Sequence, residues 1–323
     1  MPASNAAIQF LIAAILSGAG LHATGPVDPS TLDGKVLLGY QGWFTCPSDG
    51  SGRWTHWSRG APTAETLTAD LYPRRALRDF RMTIGGKPAY LFSSRNPKTV
   101  SRHFRWMREY GLDGVLVKRF VGSIPRSRAE GDVVLKNVMA AARESGRTFA
   151  IEYDISGTRT EAFEQKLKDD WKYLVDEIKV TSHPNYLRHN GKPLVAVWGM
   201  GLKDHFPDDP KISADLIAWF KNGAPDKYRV TYIGGTPSRW AILSNDARPD
   251  PAWANVYAAM DVVQPWTVGR YGSLEDADKW KDDMLVRDAK LAETNRQIYR
   301  KQLRHGEFRW IKFAAQTKLK KGI

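Results

Sequence analysis

The sequence predicts an α/β protein of (β/α)8 TIM-barrel type, incomplete at its C-terminus. Three observations carry that prediction. Short β-branched runs alternate with amphipathic segments at a spacing of roughly 30–40 residues, the pattern of parallel strands joined by helices. Six such units are legible and none carries a full dinucleotide fingerprint, which favours a barrel over an open nucleotide-binding sheet. Finally, 323 residues with 42% hydrophobic and 26% charged side chains match globular composition and can bury a full core without staples.

In chain order, Lys35 to Tyr40 reads as the first strand. Thr99 to Tyr110 follows as a helix, with Val100, Phe104, Met107 and Tyr110 at helical spacing and Gly111 as its stop. Gly114 to Val117 is the second strand, Asp132 to Glu144 a helix ending at Gly146, and Thr148 to Ile151 the third strand. A helix from Glu161 to Ile178 precedes the fourth strand, Leu194 to Trp198. Helix Ala214–Lys221 leads to the fifth strand, Arg229 to Ile233, and helix Trp253–Ala259 to the sixth, Asp261 to Val263. A charged helix over Asp276 to Ile298 closes the pattern. No compositional break divides residues 26–299, so they read as one barrel domain. Gly199-Met200-Gly201 follows a strand, but Asp204 stands where a third phosphate-loop glycine belongs.

The two ends differ from this body. Ala6 to Leu21 is a 16-residue apolar stretch, short for a membrane span, which needs about 20 residues, and sized for a signal h-region. Residues 1–25 therefore read as a signal peptide or apolar N-terminal segment, which predicts secretion, with a cytoplasmic protein as the alternative. At the other end, residues 300–323 hold eight Lys/Arg and one acid, Glu307, and so more than half of the chain's net charge of +13. The rest of the chain is nearly balanced. No nucleic-acid reader motif accompanies the charge, and the expected partner is a carbohydrate, not a nucleic acid.

The strand ends carry the chemistry, because a barrel of this type presents its site at the C-terminal ends of its strands. They read Tyr40-Gln41-Gly42-Trp43, Lys118-Arg119-Phe120, Glu152-Tyr153-Asp154, Trp198, Gly234-Gly235 and Gln264-Pro265-Trp266, with His56 and Trp57 in the first long loop. Aromatic faces mixed with carboxylates and amides suit a sugar, whose C–H faces stack on indoles while its hydroxyls bond to Asp, Glu, Gln and Arg. Tyr40, Gln41, Trp43, His56, Trp57, Arg119, Tyr153, Trp198, Gln264 and Trp266 are the candidate substrate contacts. Trp106, Trp171 and Trp219, inside helices, read as core or helix packing. Glu152 and Asp154 are two apart and share one face of a strand, which suits acid/base or oxocarbenium-stabilising work. The competing reading is a structural ion pair with Lys118 or Arg119.

Other chemistries are poorly represented. The single cysteine, Cys46, excludes an intramolecular disulfide and any Cys-rich metal site, and it reads as a buried bystander thiol. His183 and His189 flank a Pro-Asn loop and read as a solvated turn in preference to a metal site. No nucleophile elbow, phosphate loop or zinc-binding helix occurs, and no cofactor or metal is expected.

The strings Gly39-Tyr40-Gln41-Gly42-Trp43-Phe44, Trp54-Thr55-His56-Trp57 and Asp70-Leu71-Tyr72-Pro73 resemble glycoside hydrolase family 71/99-like proteins. So do Thr99 to Met107, Tyr110 to Val115, Lys118-Arg119-Phe120, Glu152 to Gly157 and Asn190-Gly191-Lys192-Pro193. This group includes sequences labelled xylosidase/arabinosidase and is distantly similar to the endo-α-mannosidases of family 99. The resemblance spans roughly residues 34–299 and implies a (β/α)8 barrel that hydrolyses O-glycosidic bonds, with Glu152 and Asp154 as substrate-site carboxylates. It also implies a catalytic acid and base in a Glu-rich motif on the last strands. Here Arg300-Lys301-Gln302-Leu303-Arg304-His305 follow Tyr299 instead, and the segment reads as an aberrant tail. Two functions stay open: a glycosidase, and a carbohydrate-binding relative without turnover.

Overall fold

The computed structural model describes residues 25–63, 65–68, 80–84, 87–124, 126–158 and 162–299. The apolar segment 6–21, the Asp70–Pro73 string and the basic tail 300–323 lie outside the described residues.

The elements in order are β1 (Leu37–Tyr40), β2 (Phe80–Ile84), β3 (Lys87–Leu91), α1 (Pro97–Glu109), β4 (Gly114–Phe120), α2 (Arg128–Ser145) and β5 (Thr148–Asp154). Then come α3 (Phe163–Asp176), β6 (Arg188–His189), β7 (Lys192–Trp198), α4 (Pro210–Ala218), β8 (Thr231–Thr236), α5 (Ala252–Ala258) and β9 (Val262–Pro265). Helices α6 (Leu274–Trp280) and α7 (Val286–Thr294) precede β10 (Ile298–Tyr299). These group into two compact units whose segments interleave along the chain. The first comprises residues up to Pro29, Asp33–Val115 and Glu130–Phe149, and the second Ser30–Leu32, Leu116–Ala129 and everything from Ala150. Because both units draw on several segments, no compositional break marks either.

In the first unit β1 lies beside the start of β4, and that beside the start of β5. The Asp113 N–H donates to Val36 O at 3.0 Å and the Thr148 N–H to Asp113 O at 2.8 Å. Helix α1 starts two residues ahead of the expected Thr99, where Asn96 caps it by accepting from the Lys98 N–H at 3.0 Å and Pro97 takes the first turn. The antiparallel hairpin β2–β3, closed by the pair Ile84 and Lys87, is an element that strand–helix alternation did not indicate.

In the second unit the sheet order is β4-β5-β7-β8-β9-β10, with β6 added to the side of β7. The pairs β5–β7, β7–β8, β8–β9 and β9–β10 are parallel. This is the expected α/β architecture, a partial barrel of parallel strands with intervening helices. All of β5 is buried, as is β7 after Lys192. That explains near-continuous runs such as Leu194-Val195-Ala196-Val197, since a sheet covered on both faces has no polar side to alternate with. Trp171 is fully buried and donates through Nε1 to Tyr228 O at 2.9 Å. Trp219 is half-buried against Phe220 and Tyr228.

Two expectations are corrected. The charged helix does not run to Ile298: α7 ends at Thr294, Arg296 takes a left-handed conformation at φ 57°, and the chain enters β10, where Ile298 pairs with Val262. His189 is buried, not solvated, with Nδ1 accepting from the Leu32 N–H at 3.2 Å.

Candidate functional site

The register of the second unit's sheet aligns one row of residues near the strand C-termini: Asp154 on β5, Trp198 on β7, Gly235 on β8 and Gln264 on β9. Glu152 lies two residues back on the same face as Asp154. Lys118 of β4 joins both carboxylates. Its Nζ is 3.1 Å from Asp154 Oδ2 and 3.6 Å from Glu152 Oε2, and it lies 5.9 Å from the centre of the Trp198 ring. The other Asp154 oxygen, Oδ1, accepts from the Ser156 N–H at 3.0 Å and from Ser156 Oγ at 2.6 Å. This side chain-to-backbone bond two residues on is the Asx-turn that turns the chain as the strand ends.

Trp198 packs against Trp266 with ring centres 4.9 Å apart and planes tilted by 40°. Gly235 makes room for it, since a Cβ there would stand 2.3 Å from Trp198 Cε3. After Trp198 the chain turns through Gly199 at φ 113°, where a side chain is strained. The backbone of Trp266 is tied to the end of β8 by its N–H donating to Thr236 O at 2.9 Å. Glu152, Asp154 and Gln264 are all buried, whereas Trp266 is half-buried. The structure thus gathers Glu152, Asp154, Trp198, Gln264 and Trp266, and adds Lys118, Ser156 and Gly235. Lys118 lies in a strand-end string but is not among the candidate substrate contacts read from the sequence. Its position two residues before the end of β4, on the face opposite Arg119, is the available signal.

Arg119 and Tyr153 are not among them. Side chains alternate faces along a strand, so the residue next to Lys118, and the one between Glu152 and Asp154, point toward the helices. Both close on Asp170 of α3, which is fully buried. Arg119 donates to it through Nε and Nη2, each at 2.7 Å, and the Tyr153 hydroxyl donates at 3.0 Å. Arg128 Nε adds a third approach at 3.3 Å. Burial, together with the Asp170 carboxylate at its oxygen, pushes the Tyr153 phenol well above its ordinary value and keeps it a donor. The expectation that these two residues contact substrate gives way to a buried ion network behind the strands.

The remaining expected contacts belong to the first unit. Trp57 is 3% exposed and packs with Cys46, Leu91, Phe44 and Phe92, its Nε1 donating to Phe92 O at 2.7 Å. It is a core residue. Cys46 is buried in the same cluster, with Sγ 3.7 Å from Phe92 O. Trp43 is half-buried and stacks on His56 at 3.9 Å between ring centres. Partial burial holds the His56 imidazole below its ordinary value. The Tyr40 hydroxyl meets His103 Nδ1 at 3.0 Å, and burial raises its pKa. Gln41 is half-buried beside Tyr40 in sequence. Trp106 is half-buried and faces His103 at 5.9 Å.

Among the described residues no group of three or more His, Cys, Asp or Glu is placed to hold a metal ion. No described helix is long and apolar enough to cross a membrane.

No protein-family model matches the chain, and no curated protein matches its sequence. Solved structures do. By fold, the chain is similar to a GH99 endo-alpha-mannosidase from Bacteroides thetaiotaomicron. The similarity to that enzyme in complex with BIS-TRIS-propane has a TM-score of 0.57 at 18% identity, covering 84% of this chain and 69% of that one. A second structure of the enzyme matches with the same score and identity over 84% and 71%. The likeness shows the fold and agrees with the partial parallel barrel described above.

Proposed function

We propose that this protein is a glycoside hydrolase-like protein acting on O-glycosidic bonds of an oligo- or polysaccharide. The observation that carries the reading is the tilted Trp198–Trp266 pair beside Lys118, Glu152 and Asp154 at the strand ends. An indole face offers a sugar ring apolar contact, while fixed charged groups next to it bond the ring's hydroxyls. The fold shared with an endo-alpha-mannosidase supports the same reading. So does the apolar segment 6–21, which suits export toward an extracellular polysaccharide. Under this reading Trp198 and Trp266 form a stacking platform, Asp154 and Glu152 orient or stabilise the sugar, and Gln264 supplies an amide contact. The mannoside, xyloside and arabinoside specificities implied by the sequence resemblance are separated by experiment.

One observation favours a second reading, binding without turnover. Both oxygens of Asp154 are engaged, one by Lys118 and the other by Ser156, an arrangement that holds a carboxylate in place.

The test is a reducing-sugar assay on α-mannan, xylan and arabinan, run beside tryptophan-fluorescence titration with the derived oligosaccharides. Release of reducing ends by the intact chain, lost in D154N, supports hydrolysis. Saturable quenching without release, abolished in W266A, supports the binding reading. Neither turnover nor quenching on any of the three overturns both.

A further inference from the structure

Resting on that placement of the site, we infer that Asp246 is its positioning residue, locking the loops after β7, β8 and β9 into the arrangement that brings Trp198 and Trp266 together. None of the expected site strings contained it. Its carboxylate accepts from the Ser238 N–H at 2.9 Å and the Arg239 N–H at 3.2 Å, both just past β8. The same carboxylate pairs with Arg270 Nη2, on the loop that leaves β9 through Trp266. That loop is itself folded back, the Arg270 N–H donating to Thr267 O at 3.2 Å. The backbone of Asp246 engages the third loop. The Lys203 N–H donates to Asp246 O at 3.0 Å, and the neighbouring Arg248 N–H donates to Gly201 O at 3.0 Å. Leu202 and Ala247 form an antiparallel bridge there, four residues after Trp198.

One aspartate thus binds a loop downstream of each indole and the loop between them. The segment that delivers it holds Leu243 in the left-handed region at φ 50°, a costly conformation for that residue, followed by Asn245 at φ 57°, which tolerates it. A branched residue there carries strain that persists only where surrounding contacts over-determine it, and such strain concentrates at functional sites. A stacking platform needs this support because an aromatic pair held about an ångström too loosely loses its geometry.

Two indoles at this separation couple their electronic transitions and give paired bands of opposite sign in circular dichroism. Subtracting the spectrum of W266F from that of the intact protein isolates the Trp198–Trp266 contribution. D246A and R270A should each lower it about two-fold or more, while R270K, which keeps the charge, should retain most of it. Calorimetric unfolding of each variant verifies that it is folded. If D246A does not fold, R270A carries the test, because it removes one arm and leaves the Ser238 and Arg239 bonds in place. A full signal in folded R270A, or no difference between W266F and the intact protein, overturns the inference. Mannan and xylan oligosaccharide titrations separate this from the functional reading. If the paired bands respond as expected and the intact protein binds neither glycan, the positioning role stands and the carbohydrate reading falls.

Discussion

Two tryptophans read as sugar contacts, one in each unit, meet different fates. In the first unit Trp57 disappears into a cluster with Phe44, Phe92 and Cys46, and its N–H finds the Phe92 carbonyl inside the fold. In the second, Trp266 stays half-buried, in contact with Trp198 beside charged groups. The Phe92 carbonyl satisfies the polar tip of the Trp57 indole, so that ring buries without leaving its donor unpaired. Sequence position in a strand-end or loop string does not settle that question. What surrounds the ring does.

That contrast has a direct test in stability. W57A removes a core indole and should cost about 3–5 kcal/mol, in the range for large aromatic truncations. W266A removes a half-buried ring and one aromatic contact and should cost about 1–2 kcal/mol. Urea unfolding of the two variants side by side measures both. Equal losses would mean that Trp266 is as much a core residue as Trp57, and that the platform has no free face.

The fold was largely legible and the site partly so. Apolar runs bounded by Gly or polar clusters located β4, β5, β7, β8 and β9, because strands covered on both faces begin as near-continuous hydrophobic stretches in sequence. The hairpin β2–β3 lies outside the strand–helix alternation, and its one sequence signal is Gly85-Gly86, a common two-residue turn pair, between the two strand sequences. β10 was hidden behind charged helical periodicity, since only two residues form it. At the site, the shared face of Glu152 and Asp154 was readable from their spacing. The same alternation places Arg119 and Tyr153 on the opposite face. Asp170 and Asp246 were beyond reach, since each acts on residues distant in sequence: Asp170 bonds Arg119, 51 positions away.

Two carboxyls, one in each unit, also differ in the sign of their pH response. Burial works against ionising Asp49, but bonds from Ser93 Oγ, the Cys46 N–H and Ser51 outweigh it and hold its carboxyl below the ordinary value. Its stabilising contribution is present above the unfolded value near 4 and is lost as pH falls through the lower folded value. Asp288 behaves oppositely. Burial raises it to about 6, against the opposing effects of Arg287, Trp240 Nε1 at 3.2 Å and Tyr299 OH at 3.4 Å. Between about 4 and about 6 the folded state holds a proton that the unfolded state has released, so stability falls as pH rises through that window. The change amounts to about 2–3 kcal/mol. D288N should flatten that decline and D49N should flatten the acid-side loss, both read from denaturation midpoints across pH 3–8. An unchanged slope in D288N would refute the raised carboxyl.

The smallest effect concerns Tyr40, whose residue type suits a sugar contact but whose hydroxyl meets His103 Nδ1 at 3.0 Å. If that bond is what the hydroxyl does, Y40F costs about 1 kcal/mol, the net worth of one such bond. H103Q shifts the same interaction, and the double variant should then lose less than the sum of the singles, by about 0.5–1 kcal/mol in a double-mutant cycle. Strict additivity would release the hydroxyl from this structural task. Tyr40 would then return to the set of side chains available to a ligand, and the first unit would contribute more to recognition than its packing alone implies.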